Sequence, residues 1–185
     1  MLYNILSFLL DTAVAIVGGA CLLRLVMQRQ RMPFGNPVGR LVFALTDWIV
    51  LPLRRVVPGI GGWDVASLLA GYLLVLAKLL ALWGVRGAMT PGMFLPVIAL
   101  FGLAQLAISV FTALLILYAV LSWLQPQSPV MPVLDRICAP LLAPLRRSLP
   151  SVSGFDFSPL VLLLILQVLG MLLAGVQGEV LRLMF

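Results

Sequence analysis

The sequence predicts an all-α membrane protein with four transmembrane helices in two parallel repeats, each with an amphipathic interfacial helix in its cytoplasmic loop. Three observations carry this. Of the 185 residues, 63% are hydrophobic and 10% charged, with a mean hydropathy of +1.18, whereas soluble domains carry about 25% charged residues. Four apolar runs reach the roughly 20 residues that a helix needs to cross the hydrocarbon core. The heptapeptide Pro52-Leu53-Arg54-Arg55-Val56-Val57-Pro58 returns as Pro144-Leu145-Arg146-Arg147-Ser148-Leu149-Pro150, at an offset of 92.

The same offset relates Pro37 to Pro129, Gly62 to Gly154, Asp64 to Asp156 and Leu68 to Leu160. An internal duplication fixes the architecture before single residues are interpreted. It divides the chain into repeats 1–92 and 93–185, each with a motif-bearing loop between two apolar runs.

The first span covers about residues 5–27 and is interrupted by Asp11. No Lys or Arg occurs among the first ten residues, so a cleaved signal peptide is not expected and the run should remain as an anchor. The second span, about 65–85, carries Lys78. The third, about 94–124, is longer than a bilayer requires and contains Gln105, Ser109 and Thr112; it either tilts or projects. The fourth covers about 157–181.

Arg24, Arg29, Arg31, Arg40, Arg54, Arg55, Arg136, Arg146 and Arg147 lie on or beside the two motif-bearing loops, against Arg86 and Arg182 on the other side. The positive-inside bias places both loops in the cytoplasm and both termini outside. The halves then share one orientation, unlike the inverted repeats of many transporters.

Each loop opens on a cap followed by proline, Asn36-Pro37 and Ser128-Pro129, a favoured helix start. Amphipathic segments follow at about 37–51 and 129–143. In the first, Asn36, Arg40 and Asp47 share a stripe; in the second, Ser128, Asp135 and Arg146 do. Such helices lie in the membrane surface or pack between spans. Pro52 and Pro144 are expected to break them, because an interior proline loses a hydrogen bond and clashes with the preceding turn. Pro58 and Pro150 should stop any further helix, Gly62 and Gly154 lie in turns, and Asp64 and Asp156 are placed to cap the returning spans.

The paired Arg54-Arg55 and Arg146-Arg147 can fork onto lipid phosphates as topology anchors, or form a docking site for a partner protein or phosphate ligand. No Gly-x-x-x-x-Gly-Lys nucleotide loop occurs.

Asp11 and Lys78 are ionisable groups within spans, which are functional candidates by default. Their depths, roughly 9 and 12 Å from the outer end at 1.5 Å per residue, predict an intramembrane pair joining spans one and two; separate snorkelling to the interface is the other reading. Gln105, Ser109 and Thr112 recur at helical spacing as a polar seam, for hydrogen bonding between helices or for lining a water-filled path. Gly18, Gly19, Gly71, Gly102, Gly170 and Gly175 read as close-packing sites.

The chain has no His and two isolated Cys, Cys21 and Cys138. A structural metal site of about four ligands cannot be assembled from these, bis-His haem is excluded, and the cysteines read as small hydrophobes. No cofactor is expected. The net charge of +6 sits beside the apolar spans rather than in a basic groove, so nucleic acid is not an expected partner. Without His and with few acids, no catalytic triad or carboxylate pair can be composed, and an enzyme is not expected.

The doubled Pro-Leu-Arg-Arg-x-x-Pro, the following Gly-x-Asp, and the run Phe155-Asp156-Phe157-Ser158-Pro159 leading into the last span resemble the YggT family of small bacterial membrane proteins. The resemblance covers nearly the whole chain. Its motif falls on Pro52, Arg54, Arg55, Pro58, Gly62 and Asp64, and on Pro144, Arg146, Arg147, Pro150, Gly154 and Asp156; the copies differ at Asp47, whose counterpart is Ala139. It implies a multi-pass protein of the bacterial inner membrane without enzymatic activity, linked to osmotic or ion stress, to cell-division gene neighbourhoods and, in plastids, to cytochrome b maturation. The expectation is a scaffold or assembly and stress-response factor that binds anionic lipid, membrane partners or division and assembly proteins through its loops. The alternative is a homo-oligomeric permeation protein for ions or solutes.

Overall fold

The computed structural model describes residues 1–59, 61–87, 92–125, 127–148 and 156–184, without the side chains of Trp123, Ser148, Leu183 and Met184. The described residues form six α-helices: α1 (Leu2–Arg29), α2 (Pro37–Val56), α3 (Val65–Val85), α4 (Leu95–Leu124), α5 (Met131–Ser148) and α6 (Ser158–Met184), with a 3₁₀ turn at Gly92–Phe94 before α4. No strand occurs among the described residues. Among the described residues four segments are long and apolar enough to cross a membrane: Leu2–Arg29, Val65–Val85, Gly92–Ser122 and Ser158–Arg182. This is the expected all-α membrane fold, with α2 and α5 as the two additional helices. The 30 residues of α4 extend about 45 Å, well beyond a hydrocarbon core of about 30 Å.

The chain packs as two units, 1–107 and 108–185. The division falls inside α4, not at the duplication boundary of 92/93, because the first half of α4 packs with α1 and α3. In the first unit, Cys21, Val50, Ala66 and Ala70 form one buried cluster, and Val14, Val75 and Ala99 another. Glycines permit the close approach. A Cβ on Gly18 would lie 2.9 Å from Leu106, and one on Gly102 would lie 2.8 Å from Val75. Gly175, by contrast, faces open space, so it is not a packing glycine within the chain. In the second unit, Leu115, Tyr118, Leu134, Cys138, Leu142, Leu162 and Leu166 form the core between α4, α5 and α6.

Helix α2 starts as its sequence directs: the Asn36 side chain accepts from the Gly39 backbone N–H at 2.7 Å, with Pro37 in the first turn. Its Gly39, Val42, Thr46 and Val50 are buried, while Leu41, Trp48 and Leu51 are exposed. The arm therefore packs on α1 and α3 along one side and presents an apolar edge on the other. In α5, Ser128 and Pro129 form a turn ahead of a helix that starts at Met131.

The prolines do not break these arms. Helix α2 runs through Pro52 to Val56, and α5 runs through Pro140 and Pro144 to Ser148. All three prolines are exposed, so the ring and the carbonyl deprived of its donor face outward, where crowding is least. The last turn of α2 closes with the Val57 N–H on the Leu53 carbonyl at 2.8 Å. Pro58 follows, outside the helix.

Candidate functional site

The first elbow is centred on Asp64. Gly61 (φ 60°) and Gly62 (φ 84°) turn the chain between α2 and α3, a left-handed path that glycine takes at little cost. The turn brings Asp64 to the N-terminus of α3, where its carboxylate accepts from the Ser67 backbone N–H at 3.3 Å and the Ser67 hydroxyl at 2.6 Å. Arg54, from the last turn of α2, reaches both oxygens of the same carboxylate: Nε donates to Oδ1 at 3.3 Å and Nη2 donates to Oδ2. Arg54 also donates to Gln28 on the last turn of α1. One aspartate thus caps a span and holds the arm to it.

A second guanidinium lies deeper. Arg24 of α1 is 2% exposed, and its Nη1 donates to the Thr46 hydroxyl at 2.7 Å and to Asp47 at 2.6 Å. Its Nε lies 3.9 Å from Asp64, and its guanidinium sits 4.6 Å over the Phe43 ring. Arg24, Arg54, Asp47 and Asp64 make a charge-balanced quartet, the condition under which buried charge is tolerated. Burial tends to raise the Asp64 pKa, but the hydrogen bonds from Arg54 and Ser67 outweigh it and hold the carboxyl below its ordinary value.

The second elbow repeats the central contact with different support. Arg146 Nε donates to Asp156 at 2.8 Å, and its Nη2 donates to the Tyr118 hydroxyl at 2.6 Å. Tyr118 donates to Asp135 at 3.2 Å, and Arg146 Nη1 lies 3.6 Å from the same carboxylate. The Ser158 backbone N–H donates to Asp156 at 2.9 Å. Burial works against both charged forms, yet Asp156 is held low by Ser158 and Arg146, and Arg146 is raised by Asp156 and Tyr118. Burial, with Asp135 adding and Arg146 opposing, pushes the Cys138 thiol up to about 11, so it is protonated at neutral pH and a poor nucleophile. Pro150 and Gly154 lie outside the described residues.

The two arginines of each pair therefore do different things. Arg54 and Arg146 are held by Asp64 and Asp156 of their own chain. Arg55 and Arg147 are exposed and make no ion pair among the described residues.

At the other end of the first unit, Lys78 donates to Asp11 at 2.9 Å and Ser7 donates to the second oxygen of Asp11 at 3.1 Å. Gln105 and Ser109 are exposed on α4, and Thr112 closes on its own helix through the Ile108 carbonyl at 2.8 Å. Among the described residues no three His, Cys, Asp or Glu side chains converge as metal ligands.

Sequence reasoning missed Arg24, Gln28, Thr46, Tyr118 and Asp135 as elbow residues. Arg24 carried a signal, a charge several residues inside an apolar run, but reads equally as a topology charge. Tyr118 has Val26 as its counterpart and Arg24 has Ile116, so the duplication itself concealed them.

Comparison with known proteins agrees with this architecture. The CCB3/YggT family model matches residues 3–85 and 97–177, one segment for each repeat. An Escherichia coli K12 protein described as uncharacterized protein YggT is 40% identical over 178 residues, covering 94% of this chain and 91% of its own. An uncharacterized protein of Vibrio alginolyticus is 31% identical, covering 96% and 97%. One of Pseudomonas aeruginosa is 34% identical, covering 82% and 79%. No solved structure matches the chain.

Proposed function

The chain belongs to the CCB3/YggT family, and from this premise we propose that it is a non-catalytic scaffold of the bacterial inner membrane whose two arms grip anionic lipid headgroups. One observation carries the reading: in both copies the first arginine is latched to an aspartate ten residues on, while the second is left exposed at the end of the arm. The latch fixes the arm's angle to its span. Arg55 then stands beside exposed Leu51 and Val56, the pairing of cation and apolar edge that suits a headgroup region. With nine basic residues around the two loops against two opposite, these elbows belong on the cytoplasmic side and both termini outside. Assistance to membrane-protein assembly, division or envelope-stress responses follows from a fixed, lipid-gripping platform.

In-cell photocrosslinking from positions 51 and 143, one helical turn before Arg55 and Arg147, tests this with all four guanidiniums in place. Capture of phospholipid from 51 and 143 supports the reading. Capture of one stoichiometric protein instead would make the elbows a docking site. Gln105 and Ser109, exposed on α4, are the observation behind the permeation alternative. Ion flux in liposomes that is lost on Gln105→Leu or Ser109→Leu would favour it over the scaffold.

A further inference from the structure

At the end of the first unit opposite its elbow, a cleft of about 490 Å³ opens between the start of α1, the end of α3 and the start of α4. Its volume falls within the roughly 300–1,000 Å³ usual for small-molecule sites. One wall is a single stripe of α3, formed by Leu79, Leu82, Trp83 and Arg86, at the three- and four-residue spacing of one helix face. Leu95 and Ile98 form the facing wall, and Tyr3 stands at the mouth. Gly92 backs Trp83: a Cβ there would lie 3.2 Å from the indole.

Among the described lining residues the one charged group is Arg86. The Arg86 guanidinium lies 4.5 Å from the Tyr3 ring centroid. Stacking occupies the face of the guanidinium and leaves its N–H edge available for a forked contact. All six Asp and Glu side chains are engaged with other cations: Asp11 with Lys78, Asp47 with Arg24, Asp64 with Arg54, Asp135 and Asp156 with Arg146, and Glu179 with Arg182. Among the described residues no carboxylate pairs with Arg86. A tyrosine and a tryptophan at a helix end mark interfacial depth, where the available anions are lipid phosphates and the leucine walls can take an acyl chain. A cation on this side also runs against the bias that orients the chain.

We propose that this cleft is a binding site for one anionic phospholipid, its phosphate on Arg86 and an acyl chain between Leu82 and Ile98. The test uses the full chain in phosphatidylcholine vesicles with Trp48, Trp63 and Trp123 replaced by Phe, so that only Trp83 fluoresces. Phosphatidylglycerol with brominated acyl chains should quench Trp83 several-fold more than brominated phosphatidylcholine at equal mole fraction. R86Q and R86E should each reduce the two lipids to equal quenching; Arg86 is exposed, so both variants should keep the thermal transition of the parent. Excess inorganic phosphate should leave the preference intact. Equal quenching with Arg86 present, an unchanged preference in both variants, or loss of the preference to inorganic phosphate, the mark of a free-anion site, would each overturn the proposal.

Discussion

Arg54 and Asp64 stand ten residues apart and meet through both carboxylate oxygens across a two-glycine turn, and Arg146 and Asp156 restore the contact at the same separation in the second repeat. The surroundings of the two contacts differ. Asp64 is 2% exposed with two guanidiniums about it, whereas Asp156 is 42% exposed and shares Arg146 with Asp135. Energetic consequences should differ accordingly.

Asp64→Ala leaves Arg24 and Arg54 without their shared anion. Breaking a buried pair from one side costs about 3–5 kcal/mol, so this variant should accumulate poorly and unfold at markedly lower temperature in detergent. Asp156→Ala removes a half-exposed partner and should cost about 1 kcal/mol or less. Equal losses in the two variants would contradict the difference in burial.

Replacing Arg55 and Arg147 by Gln should leave thermal unfolding unchanged, since neither makes an ion pair among the described residues. Juxtamembrane basic residues contribute about 1 kcal/mol each near an anionic surface. Photocrosslinking to anionic lipid at the elbows should weaken by that order, as measured against the parent at low and high salt.

Acid should loosen the elbows. Asp64 and Asp156 both titrate below their ordinary values in the folded chain. Their contribution to stability is therefore fully present above the unfolded value of about 3.9 and is lost as pH falls through the depressed folded value. Unfolding temperature should drop below about pH 4, and Asp156→Asn should flatten part of that slope.

The Asp11–Lys78 contact calls for a charge swap. Asp11→Lys alone sets two cations side by side, and Lys78→Asp alone sets two carboxylates together. The double variant should recover stability relative to either, with a coupling of about 1 kcal/mol in a thermal-shift cycle. Strict additivity would show that the 2.9 Å contact contributes nothing.

Cys21 and Cys138 are both fully buried. Maleimide labelling at neutral pH should be slow in the folded chain and complete only after denaturation. Fast labelling of Cys138, whose thiol is pushed up to about 11 by burial, would mean that α5 detaches from Leu115 and Leu162.

The spans were legible because twenty-residue apolar runs have few alternatives in water or lipid. The arms were legible from their caps and periodicity, and the duplication gave the position of both elbows. The contacts inside the elbows were not. Arg54 reads as a phosphate ligand and Asp64 as a helix cap; that one closes on the other depends on positive φ at Gly61 and Gly62, which sequence spacing does not convey. Pro52 and Pro144 read as helix breakers, but their exposure on the arms lets the helices continue. Arg24 and Tyr118 differ from their own repeat counterparts, so comparing the copies pointed away from them.

Because Asp64 serves as both cap and latch, the fastening of the first arm depends on a residue that lies forty positions after Arg24 and ten after Arg54. Chain order thus places both cations ahead of the single carboxylate they share, and Val50 ahead of the Ala66 and Ala70 that cover it.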